Sequence, residues 1–91
     1  MNDVLPIGTI VSLENSQKLM IVGYMPSVED KIYLYSAVLY PAGMMLDNNL
    51  VLIDFNCKLN VFAQGYTGES TKEFLPGLKK ILKSYQNNIF K

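Results

Sequence analysis

Over roughly its first seventy residues the chain never sustains a helical period. Short apolar runs alternate with clusters of Asn, Asp, Ser, Pro and Gly. Only after Gly68 does the pattern change to apolar positions three and four apart. Such a chain is bound to form many short strands and then one helix. Ile7–Glu14 is rich in β-branched residues, with Thr9, Val11 and Leu13 on one face. A polar break at Asn15–Gln17 leads to a second strand over Lys18–Tyr24, so the two runs predict a β-hairpin. Met25–Asp30 reads as a loop. Lys31–Tyr40 reads as a strand apolar on both faces, so one side is expected to pack on something besides water. Pro41–Gly43 and Asp47–Asn49 are turn signals around a short strand at Met44–Leu46. Leu50–Phe55 and Leu59–Tyr66 complete the β region.

Ser70-Thr71-Lys72-Glu73 fits a capping box. After it, Phe74, Leu78, Ile81, Leu82, Tyr85 and Ile89 form an apolar stripe, with Lys79, Lys80, Lys83 and Gln86 on the other side. Pro76 deletes a hydrogen bond if it lies in a helix interior. The expectation is a continuous helix from Pro76 onward, with a turn of unsettled form before it, inside a helical region of about residues 71–89. The fold class is α+β: a small twisted antiparallel sheet, or an SH3-like partly open barrel, of five or six strands followed by one amphipathic helix. One domain spans residues 1–91, β-rich over residues 5–66; 91 residues leave no room for a second core.

Composition excludes more than it indicates. The chain has no His, so the usual triads and His-based zinc sites are impossible. It has no Arg, hence no bidentate clamp for phosphate or carboxylate. Cys57 has no intrachain partner and no base of the usual kind; it reads as a buried or half-buried bystander. Glu29-Asp30 reads as a solvated loop pair rather than a metal site. No enzyme activity and no cofactor is expected. Eight basic and eight acidic residues cancel, which argues against nucleic acid. Met1–Pro6 has no basic n-region, and no apolar stretch reaches the ~20 residues a membrane span needs, so a cytoplasmic protein without membrane contact is expected.

Four blocks carry a resemblance: Leu5-Pro6-Ile7-Gly8-Thr9-Ile10-Val11, Lys18-Leu19-Met20-Ile21-Val22-Gly23-Tyr24, Tyr40-Pro41-Ala42-Gly43, and Val61-Phe62-Ala63-Gln64-Gly65-Tyr66. In this order they resemble the bacterial domain of unknown function 4176 family. Gln64, where an acid is usual, and the lysine-bearing helix depart from its pattern. The resemblance implies a small accessory protein of Gram-positive bacteria, encoded with type VII secretion genes and LXG-type toxins. It further implies a chaperone-like or targeting partner of such a toxin, and carries over no catalytic residue. An immunity protein for the toxin is the alternative, and a small-barrel nucleic-acid-binding module using Tyr33, Tyr35, Lys72, Lys79, Lys80 and Lys83 a further one.

Six tyrosines and five methionines suit a protein-binding surface. The candidate surface is Tyr24, Tyr33, Tyr35, Tyr40 and Tyr66, and a homo-oligomer is among the expected partners. Pro6, Gly8, Gly23 and Gly65 are read as structural, serving backbone conformation rather than binding.

Overall fold

The computed structural model describes residues 4–14, 16–44 and 50–89, and the side chains of the helix as far as Tyr85. Its elements are β1 (Ile10–Leu13), β2 (Leu19–Tyr24), β3 (Ser27–Val28), β4 (Lys31–Ile32), β5 (Tyr35–Leu39), β6 (Val51–Ile53), β7 (Leu59–Ala63) and α1 (Glu69–Ile89). Five strands make one antiparallel sheet in the order β6-β5-β2-β1-β7, and β3 pairs with β4 in a separate ribbon. β6 and β7 are the two edges, so the sheet is open and the fold is α+β, not a closed barrel.

Residues opposed across an antiparallel ladder lie side by side on one face. The register therefore assigns Val11, Leu19, Ile21, Tyr35, Ala37 and Ile53 to a common face. These side chains form the core with Leu78 and Leu82 of α1, each no more than 7% exposed. The expected face of β1 is present, with Thr9 and Val11 fully buried and Leu13 packed at the margin. The apolar doubling of β5 has its outlet too: Tyr35, Ser36, Ala37 and Val38 are all buried.

Several segments differ from expectation. The loop at Met25–Asp30 contains β3, which pairs with β4 across Glu29 and Asp30. Both turn residues have positive φ, 50° and 66°. That is the backbone of a tight hairpin turn, usually built from Asn or Gly, so residue type hid it. The long strand over Lys31–Tyr40 is broken at Tyr33 and Leu34, whose amides turn aside to the carbonyls of Pro26 and Ile53. Lys31 meets Asp54 at 2.9 Å, an exposed pair worth little in stability. Cys57 is exposed rather than buried, because it sits in the turn between β6 and β7. The strand expected at Met44–Leu46 falls largely outside the described residues; Met44 itself is an exposed bend.

α1 begins at Glu69, a full two turns before Pro76, and runs through it. The Lys72 amide donates to the Gly68 carbonyl at 3.1 Å, which makes Gly68 the residue at the helix entrance and puts the Ser70–Glu73 pattern inside the first turns. The bond lost at Pro76 is offset by packing on both sides of it, through Leu75 and Leu78. The buried stripe is Leu75, Leu78, Leu82 and Tyr85, whereas Phe74 and Ile81 are 55% and 57% exposed. At about 100° per residue the apolar arc is ~120° wide. The sheet takes one side of that arc and leaves the other in solvent. No described helix is long and apolar enough to cross a membrane.

Candidate interaction surface

The opening segment and the end of the last strand meet at one junction. The Gly8 amide donates to the Ile21 carbonyl at 2.8 Å, and the Ile21 amide to the Thr9 carbonyl at 3.0 Å. The buried Thr9 hydroxyl donates to the Pro6 carbonyl at 2.7 Å and accepts from the Gly65 amide at 3.0 Å. Gly8 holds φ +91°, a conformation costly for any other residue. Gly65 lies directly on the Ile7 carbonyl: a Cβ there would collide with that oxygen and sit 2.9 Å from the Thr9 nitrogen. Gly23 faces Ser36, where a Cβ would lie 2.5 Å from the hydroxyl. Gly8 and Gly65 are thus placed where backbones approach closely, beside the buried Pro6, whereas Gly23 makes room for the Ser36 side chain.

Two tyrosines hold the segment from the other side. The Leu5 amide donates to the Tyr35 hydroxyl at 2.9 Å, and the Tyr24 hydroxyl donates to the Leu5 carbonyl at 2.6 Å. Burial, and then the neighbouring Tyr35, push the Tyr24 phenol up to about 12; burial raises Tyr35 as well. Both are neutral hydrogen-bonding anchors at ordinary pH.

The five tyrosines of the candidate surface therefore do not form one patch. Tyr35 is 3% exposed, and its hydroxyl is engaged inside the molecule. Tyr24 is half-buried, its ring 5.9 Å from those of Tyr35 and Phe74. Tyr33 is half-buried with the Lys31 ammonium 4.7 Å from its ring centre. Tyr40 is 43% exposed at the cis Tyr40–Pro41 bond. Tyr66 is 87% exposed. Lys72, Lys79, Lys80 and Lys83 are all exposed along α1.

What the fold assembles instead is a groove at the helix entrance. Leaving the junction, the chain carries Tyr66 past Gly68 and into α1. A groove of about 220 Å³ opens there between Ile7, Tyr24, Tyr66, Ser70, Thr71, Phe74 and Leu75. Ile7 and Phe74 are 47% and 55% exposed, so two large apolar side chains rim it with Tyr66. Beyond Leu75 lies a second cleft of about 380 Å³, lined by Val4, Pro6, Gln64, Pro76 and Lys79. Among the described residues that line the first groove none is charged, and Tyr24, Tyr66, Ser70 and Thr71 carry hydroxyls. It suits an apolar or aromatic side chain with a few hydrogen bonds at the margin. Among the described residues no group of three His, Cys, Asp or Glu is placed to hold a metal ion.

Sequence reasoning missed Ile7 and Phe74. Phe74 carried a signal, since it lies at one margin of the apolar arc. Ile7 carried none, because its exposure follows from Gly8 turning the chain.

Fold and surface together define a small α+β domain: an open antiparallel sheet, one helix across one face, and an apolar groove where sheet and helix join. The family model described as "Domain of unknown function (DUF4176)" matches residues 4–74, and the chain belongs to this family. The matched span covers every strand, the glycine junction and the groove as far as Phe74. No curated protein and no solved structure matches the chain.

Proposed function

We propose that this protein is a non-enzymatic, cytoplasmic accessory factor that binds another protein. Its partner in this reading is a type VII-secreted LXG-type toxin of a Gram-positive bacterium, which it serves in a chaperone-like or targeting role. One observation supports the reading above the others: Ile7, Tyr66 and Phe74, which are 47%, 87% and 55% exposed, surround a groove with no charged side chain among its described lining residues. Side chains of this kind gain most from being covered by a partner, and aromatic residues commonly dominate such contacts. On the sheet side the groove is tied down by the junction at Gly65 and by the tyrosine bonds to Leu5. A preformed groove lowers the ordering cost of association.

The test is co-expression with an LXG-type toxin encoded beside the protein's gene. The expected result is a stable complex on size exclusion, lost on the double substitution Tyr66→Ala, Phe74→Ala while the variant remains folded. Recovery of toxin and accessory chain in separate fractions contradicts the proposal, as does a complex that the double variant leaves intact.

A further inference from the structure

We propose that the cleft beside Pro76, with the lysines along its rim, takes an acidic amphipathic helix of a protein partner: an apolar side chain enters the cleft and carboxylates meet Lys72, Lys79 and Lys83. Along α1, Lys72, Pro76, Lys79 and Lys83 follow one another at helical spacing and so share one flank. All four are exposed. The cleft of about 380 Å³ opens on this flank, with Leu75, Pro76 and Lys79 on the helix side and Val4, Pro6 and Gln64 on the other. Val4 and Pro6 are buried and Leu75 is half-buried, so the floor is apolar and the rim cationic.

The helix does not account for its own lysines. A helix C-terminus favours cations only within its last turn. Here the last turn has no basic residue, and Lys83 stands more than a turn before the end at Ile89. Ion pairs along a helix need a carboxylate three or four residues away. Both acids of α1, Glu69 and Glu73, precede Pro76, and neither lies at that spacing from Lys79, Lys80 or Lys83. Instead Lys83 follows Lys79 by four residues and Lys80 by three, which sets like charges side by side. Such pairs weaken a helix. Carboxylates brought by a partner relieve that repulsion.

The surroundings select among anionic partners. None of the described residues lining the cleft is aromatic, so it offers no platform for stacked bases, and the chain has no Arg. The exposed Phe74 and Ile81 lie across the buried Leu75, Leu78 and Leu82 from the lysine flank, so the two cannot rest together on a flat lipid surface. An acidic amphipathic helix supplies both parts. Its acids four residues apart stand about 6 Å apart, the spacing of Lys79 and Lys83, and its apolar side faces the cleft. This inference deepens the protein-binding reading by naming the partner's chemistry, and it uses the side of Leu75 away from the Ile7–Tyr66–Phe74 groove.

The probe is a fluorescein-labelled peptide of two copies of the repeat Leu-Glu-Glu-Leu-Ala-Glu-Glu, titrated with the full chain in fluorescence anisotropy. No toxin is involved, so its failure is distinguishable from failure of the groove. Saturable binding that weakens as salt rises is expected. Lys79→Gln with Lys83→Gln is expected to weaken it roughly tenfold, with circular dichroism unchanged. Should that variant unfold, Gln64→Glu decides: it sets a carboxylate in the cleft without altering the helix, and is expected to weaken binding too. Tyr66→Ala with Phe74→Ala is expected to leave the peptide bound as before. Absence of binding overturns the proposal, as does equal binding of the peptide with Gln for every Glu. So does binding indifferent to the folded lysine variant or to Gln64→Glu, binding lost with Tyr66 and Phe74, or capture of a single-stranded oligonucleotide or phosphatidylglycerol vesicles in the peptide's place.

Discussion

At the residue scale the junction is held by Gly65, Thr9 and the tyrosine pair. Gly65 touches a backbone carbonyl that cannot swing aside, so Gly65→Ala is expected to destabilise by about 3 kcal/mol in urea unfolding. A loss of only about 0.5 kcal/mol or less would show that the junction is looser than described. The tyrosines predict a pH dependence. Tyr24 is raised from 10.0 to about 12, so the folded state holds its proton more tightly than the unfolded one. That contribution is complete below pH 10 and is lost as pH rises from there through about 12. Tyr24→Phe is expected to flatten this alkaline limb in thermal melts while losing roughly 1 kcal/mol at neutral pH with its hydrogen bond to Leu5. Why the sequence suggested a tyrosine surface is clear at this scale. A phenol serves equally as contact area or as a buried anchor. The choice for Tyr35 was made by Leu5, thirty residues away, which no local pattern reveals.

At the element scale the strands were largely legible, and the phase of the helix was not. The alternation of Thr9, Val11 and Leu13 marks the core face of β1, and a polar break marks the β1–β2 hairpin; both are local properties. The helix had more apolar residues than the sheet can cover, so its rotation was undetermined. Leu75 turned inward while Phe74 and Ile81 stayed out. This assignment is testable by pairing neighbours. Leu82→Ala, at a site with no exposure, is expected to cost about 2–5 kcal/mol. Ile81→Ala is expected to stay within about 0.5 kcal/mol. Equal losses in chemical denaturation would contradict the helix phase. The β3–β4 hairpin escaped sequence reading because Glu29 and Asp30 adopt positive φ without the usual Asn or Gly.

At the scale of the whole molecule, the apolar groove rimmed by Ile7, Tyr66 and Phe74 is a feature that the described residues leave for a partner to cover. It was not visible as a site in the sequence, since it depends on where a non-local neighbour stops covering a side chain. The motifs that carried the family resemblance mark the scaffold instead. Pro6, Gly8 and Gly65 bring the two ends of the β region together and so place Ile7 beside Tyr66. The proposed roles follow from this division: conserving backbone approach in the junction, and leaving recognition to the side chains that project from it. The decisive measurement is the mass of the species obtained when the chain is co-expressed with an LXG-type toxin, the partner proposed for it. A mass containing both chains is expected for the native protein, and separate masses for the folded Tyr66→Ala, Phe74→Ala variant. Identical masses for native and variant proteins, whether joined or apart, would contradict it.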